Sequence, residues 1–309
     1  MYKVLLADPL EEVGIKILEK ECEVTKAFDI DKAGLLKVIE DYDAVLVRVN
    51  TPIDKEIIDK AKKLKVIGMP GAGLNHIDVE YAKKKNIKVY NVPGGNMDSV
   101  AELTFAHILA LSRRIYAASK KVKEEGCWNK YLFMGNELSG KTIGIIGVGK
   151  IGLRVAEIAR AFKMQVVAYD PYVTQDALPA DIRLMTLDEL FATADIITIH
   201  VPLTKETYHL ISYDQIKKMK DGAYIVNMSR GGVLDEEAAY EALKNGKLAG
   251  VGCDVLEDEP PPEKPVKHIK LFDLDNFLIT PHLGAWTVEA QNRVAEIIAQ
   301  KMLEGLKNS

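Results

Sequence analysis

Short apolar runs and charged amphipathic stretches alternate along the first third of the chain. Val4–Ala7, Val45–Val49, Val66–Gly68 and Val89–Asn91 are apolar runs of strand length. Between them, Asp54 to Lys63 and Asp78 to Lys85 mix apolar positions with Lys, Asp and Glu. Parallel strands need a crossover segment to connect them, most often a helix. The alternation therefore predicts a parallel sheet covered by helices.

The pattern then lengthens. Ser99-Val-Ala-Glu102 has the form of a capping box, which predicts a helix starting there. The helix runs through Leu103, Ile108, Leu109 and Leu111 to about Lys123. Its first half is apolar nearly all round, which predicts burial between domains or under a second copy of the chain. Thr142–Ile146 reads as a buried strand, and Ile151, Val155, Ile158, Ala159 and Phe162 recur at helix spacing after it. Val166–Tyr169 is the next strand, followed by candidates at Ile196–Val201, Tyr224–Met228, Gly250–Val255 and Phe277–Thr280. Val288–Leu306 is helical and can return to the first domain. The chain then crosses between domains twice, near Asp98 and near Gly284. Pro260-Pro-Pro-Glu-Lys-Pro265 can be neither helix nor central strand and reads as a surface loop.

With 309 residues the chain has room for two domains. A net charge of -4 gives no global reason to expect nucleic acid or an anionic membrane as partner. Lysine runs such as Lys83-Lys84-Lys85 read as solvated helix faces. Cys22, Cys127 and Cys253 are odd in number, scattered and form no C-x-x-C, so neither a disulfide framework nor a metal site is expected. Tyr2-Lys-Val-Leu-Leu-Ala-Asp8 reads as a strand and turn rather than a signal peptide, and no apolar run is long enough to span a bilayer. These features predict a cytoplasmic protein.

The strand–helix–strand unit from Thr142 contains Gly147, Gly149 and Gly152 in the order G-x-G-x-x-G, and its second strand ends at Asp170. Each part has a mechanical job in holding a dinucleotide. Gly147 allows a tight turn, Gly149 lets the backbone approach a pyrophosphate, and Gly152 lets helix and strand pack closely. The amides that open the helix face the phosphates, whose charge its dipole favours. Asp170 can accept hydrogen bonds from the adenosine ribose hydroxyls. It also predicts NAD over NADP, because it would face a 2′-phosphate and no Lys or Arg follows in Asp170-Pro-Tyr-Val-Thr-Gln.

An enzyme oxidising an alcohol with such a cofactor needs a base, a group to orient it and a cation for an anionic substrate. Six histidines are candidates for the base: His76, His107, His200, His209, His268 and His282. His282 follows a strand and Pro281, at the strand end where open α/β sheets bind ligands. His200 is placed similarly but can simply line the adenine pocket. His107 lies in the buried helix and reads as a core histidine; His268 lies in a polar loop and reads as solvated. Arg230, before paired glycines at a strand end, is placed to fork onto a carboxylate or to bond loop carbonyls. Glu259 on its own reads as one surface acid among several.

Taken together, these motifs carry a resemblance. The glycine motif with Asp170, Ser229-Arg-Gly-Gly-Val-Leu-Asp235, Asp254-Val-Leu-x-x-Glu-Pro260 and Thr280-Pro-His-x-Gly-Ala285 come in that order. The chain resembles the D-isomer-specific 2-hydroxyacid dehydrogenase family over nearly its whole length. The likeness is closest to short D-3-phosphoglycerate dehydrogenases, through Val66-Ile-Gly-x-x-Gly-x-Gly-Leu74, Asn96-x-x-Ser-Val-Ala-Glu-Leu103, and Trp128 with Phe133-Met-Gly-x-Glu-Leu138. The resemblance implies an α/β fold of two Rossmann- or flavodoxin-like parallel-sheet domains. Residues 1–98 with 285–309 would form a discontinuous substrate domain and residues 99–284 an NAD-binding domain. It implies a homodimer acting on a small 2-hydroxy or 2-oxo acid, without the regulatory domain of longer members.

The same resemblance implies site residues. Arg230, Glu259 and His282 would be catalytic: the histidine as acid and base, the glutamate as its orienting partner, the arginine on the carboxylate. NAD would meet Gly147, Gly149, Lys150, Ile151 and Gly152 at its phosphates and Asp170 at its ribose. His200, Val201, Pro202, Thr207, Met228, Ser229, Asp254 and Gly284 would complete the cofactor shell. Arg48, Asn50, Ala72, Gly73, Asn96 and Lys130 would meet the substrate. The chain departs from the phosphoglycerate pattern at Met69-Pro70, where an Arg is common, and after Arg48, where a Ser is usual. Trp286 stands where related enzymes have something small. Hydroxypyruvate, glyoxylate or another small 2-oxo acid is therefore an alternative substrate. A dinucleotide sensor without turnover is a further alternative, against which the joint presence of Arg230, Glu259 and His282 argues.

Overall fold

The computed structural model describes residues 1–28, 30–48, 51–261 and 263–308. Asn50 of the expected substrate residues, and Val49 and Pro262 of the runs named above, lie outside the described residues. The chain divides into two compact units, Met1–Asn96 with Ala285–Ser309, and Met97–Gly284.

The first unit opens with β1 (Tyr2–Leu6), α1 (Glu12–Glu19), β2 (Cys22–Lys26), α2 (Lys32–Val38) and β3 (Ala44–Leu46). It continues through α3 (Lys55–Lys60), β4 (Val66–Gly68), α4 (Val79–Lys84) and β5 (Lys88–Tyr90). All pairings are parallel, in the order β2-β1-β3-β4-β5, a flavodoxin-like arrangement. Three helices start on an aspartate that accepts an amide of the first turn: Asp31 from Gly34, Asp54 from Ile57 and Asp78 from Tyr81. One face of the sheet is closed by the chain's last helix (Val288–Lys307), whose Val294, Ile298 and Met302 share a core with Leu6, Leu46 and Val66.

The run at Val45 stops pairing at Leu46, earlier than its apolar length suggests. Val47 still bonds Gly68, but the next amide, Arg48, is captured by the Asp8 carboxylate at 2.6 Å. A side chain has taken over a ladder hydrogen bond. The edge strand β2 buries only Cys22 of its five residues, too little to stand out in the sequence.

The second unit begins with α5 (Met97–Ser112) and α6 (Ile115–Glu125). It then runs β6 (Thr142–Ile146), α7 (Lys150–Ala161), β7 (Gln165–Tyr169), β8 (Ile182–Leu184), α8 (Leu187–Thr193) and β9 (Ile196–Ile199). It ends with α9 (Tyr213–Lys218), β10 (Ala223–Asn227), α10 (Glu236–Lys244), β11 (Leu248–Cys253) and β12 (Phe277–Ile279). The last helix of the chain is α11. The parallel sheet has the order β12-β11-β10-β9-β6-β7-β8, with its reversal between β6 and β9. Ile146 pairs with both Tyr169 and Ile199, so the ends of β6, β7 and β9 are level.

Two expectations for the first long helix are corrected. It starts at Met97, so Ser99 lies inside its first turn and is not the cap. Asp98 instead places a carboxylate at the positive end of the helix. The helix also does not reach Lys123 unbroken. Arg114 adopts a left-handed conformation, φ 51°, between α5 and α6. The cause is a returning segment: the Asn136 amide donates to the Ser112 carbonyl at 2.7 Å, and Arg114 Nη1 donates to the Leu132 carbonyl at 2.8 Å. No described helix is long and apolar enough to cross a membrane.

Candidate active site

Because every strand of the second sheet is parallel, its carboxyl ends lie along one edge. Gly147, Asp170, His200, Met228, Asp254 and Thr280 each follow a strand there. At the reversal between β6 and β9, such an edge opens a crevice for a ligand.

Gly147 sits at φ 93°, and a Cβ on it would lie 2.8 Å from the His200 carbonyl and 2.9 Å from a Val201 methyl. A Cβ on Gly152 would run into the Gly147 carbonyl, so the helix meets the loop as closely as backbone allows. Gly149, the residue that opens α7, faces open space. The first-turn amides, from Lys150, Ile151 and Gly152, have no acceptor within the helix. A tight turn, an open cradle and an electropositive helix end together suit a pyrophosphate. Asp170 ties this loop down: its oxygens accept the amides of Val148 at 3.1 Å and Tyr172 at 2.9 Å. A carboxylate keeps acceptor capacity beyond two such bonds.

The remaining expected cofactor residues line the neighbouring strand ends. His200 Nε2 lies 2.7 Å from Thr198 Oγ1, and burial lowers its pKa to about 3, so the ring is neutral. Its buried Nδ1 has no partner among the described residues. Thr207 Oγ1 donates to the Pro202 carbonyl at 2.6 Å and accepts the Thr204 amide at 2.7 Å, which stiffens that loop. Ser229, next to Met228, gives both its amide and its hydroxyl to Asn227 Oδ1, and Asn227 Nδ2 donates to the Arg230 carbonyl at 3.0 Å. Asn227 thus shapes the turn that presents Arg230, a role the sequence did not suggest.

His282 Nδ1 lies 2.9 Å from Glu259 Oε2. A carboxylate there holds the proton on Nδ1 and leaves Nε2 to exchange one with a ligand. The hydrogen bond to Glu259 raises the His282 pKa against the opposing effects of burial and of the Arg230 charge. Burial is the largest single influence on the Glu259 carboxyl and pushes its pKa up, but the hydrogen bond and charge of His282, the Leu256 amide and the Arg230 charge together outweigh it, and the pKa is lowered. The two shifts describe one event, the stabilisation of an imidazolium beside a carboxylate. Arg230 lies close enough to act electrostatically on both. One of its nitrogens, Nη1, donates to the Ser229 carbonyl at 2.6 Å.

The backbone of His282 is left-handed, φ 55°, which a β-carbon disfavours. Asp254 holds it there. The Asp254 carbonyl accepts the His282 amide at 2.8 Å, and its carboxylate accepts Thr280 Oγ1 at 2.6 Å, Leu283 at 2.7 Å and Gly284 at 2.8 Å. So many bonds over-determine a costly conformation. His107 joins from α5: its Nε2 is 3.0 Å from Thr280 Oγ1. Thr280 spends its proton on Asp254, so His107 donates, and burial, which lowers its pKa to about 4, keeps it neutral. The expected core histidine therefore also supports the loop that carries His282.

The loops bearing Arg230 and Glu259 interlock at Gly231, where a Cβ would collide with the Leu256 carbonyl. Gly231→Ala is expected to destabilise the protein by at least about 2 kcal/mol, the cost of forcing backbone apart. A melting curve within a degree of the parent would contradict this packing.

The expected substrate residues fall elsewhere. Arg48 follows β3, and Gly71–Gly73 form a loop after β4, where Asn91 Nδ2 donates to the Ala72 carbonyl at 2.7 Å. Asn96 is the last residue of that stretch of the first unit. Lys130 starts a short 3-10 turn in the second unit, with its Nζ 5.5 Å from the Tyr131 ring centroid. Of the other histidines, His268 is exposed beside Asp273, and His209 stacks on Tyr208 with centroids 4.0 Å apart. No cluster of metal-ligating side chains occurs among the described residues.

Comparison with known proteins gives this edge its context. Residues 105–284 match the family model described as D-isomer specific 2-hydroxyacid dehydrogenase, NAD binding domain. A D-3-phosphoglycerate dehydrogenase of Methanocaldococcus jannaschii is 45% identical over 99% of this chain and 58% of its own. The chain thus spans a little over half of that relative's length. A hydroxypyruvate reductase of Thermotoga maritima is 45% identical over 99% of this chain and 98% of its own. Among solved structures, D-lactate dehydrogenase from Aquifex aeolicus, complexed with NAD and lactic acid, is similar with a TM-score of 0.84 and 33% identity, covering 99% of this chain and 98% of that one. The chain belongs to the D-isomer specific 2-hydroxyacid dehydrogenase family.

Proposed function

We propose that the protein is an NAD-dependent oxidoreductase that interconverts a D-2-hydroxy acid and its 2-oxo acid. The observation that carries this is the His282–Glu259 pair, 2.9 Å apart, on the same sheet edge as Arg230 and the glycine cradle. NAD, when bound, supplies the acceptor or donor of hydride. The first-turn amides of α7 and Gly149 would hold its pyrophosphate, and Asp170 its ribose. In reduction, His282 Nε2 gives a proton to the carbonyl oxygen; in oxidation it takes the hydroxyl proton. Glu259 keeps the ring in the right tautomer and favours its charged form. Arg230 binds the substrate carboxylate and stabilises charge on the reacting oxygen.

Names borne by relatives put a phosphorylated and an unphosphorylated kind of acid forward. D-3-phosphoglycerate, with a role in serine biosynthesis, follows from the larger group of likenesses; hydroxypyruvate or glyoxylate follows from the alternative. A non-catalytic sensor has no use for the His282–Glu259 pair. The arm around Lys130 exposes Trp128, Tyr131, Leu132 and Met134, apolar surface that a second copy would cover, and we read the protein as a homodimer. Light scattering at micromolar concentration tests this, and a monomer would end it. Three free cysteines fit a reducing compartment, and we place the protein in the cytoplasm.

Asp170 makes cofactor choice testable. A 2′-phosphate about 4 Å from this carboxylate would be repelled by up to about 4 kcal/mol at an effective dielectric near 20. NADP should therefore support turnover at least about 100-fold less well than NAD. Asp170→Ser should narrow the gap by about tenfold. Equal use of both cofactors by the parent would refute the role given to Asp170.

A further inference from the structure

Three strand-end loops of the second unit meet around Gly231–Asp235. The loop after β10 carries Arg230 and runs on to Asp235, which caps α10. The loop after β11 carries Asp254 and Glu259, with Leu256 and Glu257 between them. The loop after β9, from His200 to Ser212, supplies none of the groups assigned to proton transfer. It is nonetheless fastened to the Arg230 loop. The His209 amide donates to the Gly232 carbonyl at 2.7 Å and the Ile211 amide to the Val233 carbonyl at 3.2 Å. The Asp235 amide answers with a bond to the Ile211 carbonyl at 2.9 Å.

The side chain of His209 joins the third loop. Its Nδ1 lies 3.7 Å from Asp235 Oδ2 and its Nε2 3.3 Å from Glu257 Oε1, so one ring spans the loops of Arg230 and of Glu259. Nε2 is buried, and its approach to Glu257 is electrostatic rather than an aligned hydrogen bond. Tyr208 stacks on the ring with centroids 4.0 Å apart and donates its hydroxyl to the same Glu257 oxygen at 2.9 Å. The Glu257 amide donates to Glu236 Oε1 at 2.7 Å, so Glu257 is held at backbone and side chain. Two residues on, Glu259 Oε1 lies 3.3 Å from the Leu256 amide, in the same turn. Asp235 is fixed as well, accepting the Ser212 hydroxyl at 2.7 Å. The His209 backbone is left-handed, φ 48°, which a β-carbon disfavours. Such a conformation persists where the surroundings over-determine it, and it clusters at working sites.

We propose that His209, backed by Tyr208, is a positioning residue that bridges Asp235 and Glu257 and so holds the Arg230 and Glu259 loops in register, setting the aim of Glu259 at His282. The inference rests on the reaction proposed above. His209 acts through Glu257 rather than on the reacting atoms. Stability alone is a poor reason for the arrangement, because ion pairs as open to water as this one contribute little to it. Position is a better one, since a small misplacement of a catalytic group costs far more in rate than in stability.

The test uses the full chain with NADH and whichever of hydroxypyruvate, its 3-phosphate, glyoxylate and pyruvate the parent reduces fastest. His209→Asn keeps a residue that tolerates the left-handed backbone but is too short to bridge. It is expected to lower kcat by about tenfold while KM for NADH stays within about threefold. Thr204 and Thr207 fix the earlier part of the same loop without help from His209. The falling pH limb of kcat/KM should move to lower pH, since a Glu259 held less firmly supports less charge on His282. Glu257→Gln, which can still accept the Tyr208 hydroxyl, should do the same. The double variant should again lose about tenfold rather than about 100-fold, as two members of one linkage do. Should His209→Asn fail to fold, Tyr208→Phe removes only the hydroxyl bond to Glu257 and should cost about threefold in kcat with a shift of the limb in the same direction. Parent rates in the variants, an unmoved limb beside a lowered rate, or an additive loss in the double variant would each overturn the clamp. A parent that reduces none of the four acids would instead overturn the reaction itself, and the clamp with it.

Discussion

Replacing His282 with glutamine is expected to lower kcat for 2-oxo acid reduction by about 10³-fold, within the range general acid catalysis supplies. NADH binding should hold within about twofold, because the cradle is built from Gly147–Gly152 and Asp170, which follow β6 and β7 and open α7. Glutamine has a comparable reach and can meet Glu259, but it has no proton to give near neutral pH. The fold should persist, since the loop is held by Asp254 through the amides of residues 282, 283 and 284. Steady-state rates with NADH titrated by fluorescence separate the two effects. Turnover within tenfold of the parent would remove His282 as the proton-exchanging group. Loss of NADH binding would mean that the histidine loop supports the cofactor site more than its geometry suggests.

Much of this site could be read along the chain because its signals are local. Gly147, Gly149, Gly152 and Asp170 fall within one strand–helix–strand unit, and each has a conformational reason to be the residue it is. His282 follows a strand and a proline, so its place at a sheet edge follows from counting strands. What escaped was made by contacts distant in sequence. The break at Arg114 is imposed by residues 132 and 136 on a stretch whose own pattern continues as helix. The link from His107 to Thr280 spans 173 positions and turns an ordinary core histidine into a support. Strand β8 (Ile182–Leu184) is too short, and too exposed in its middle residue, to announce itself by periodicity. Arg48 is the instructive case. Its charge was legible, but whether that charge is available was decided by Pro9, Glu11, Gln291 and Trp286, which come from both ends of the chain.

Replacing Glu259 with glutamine should change the pH dependence of the reaction in a direction set by its bond to His282. That bond is the main cause of the raised His282 pKa. Glutamine can still accept the Nδ1 proton, so ring orientation is preserved while the charge is lost, and the His282 pKa falls. In reduction the ring must arrive protonated, and kcat/KM declines as pH rises through that pKa. The variant's decline should therefore begin at lower pH, and its deficit should be larger at pH 8 than at pH 6. In oxidation the ring must arrive neutral, so the rising limb should also move to lower pH. At pH 8 the reductive rate should fall by about 10²-fold, since loss of the carboxylate that orients a catalytic histidine in the unrelated Ser-His-Asp triad costs more than this. A structural fault would depress both directions at every pH and leave the limbs where they were. Limbs that moved to higher pH in the variant would mean that Glu259 acts on His282 mainly by some route other than its charge.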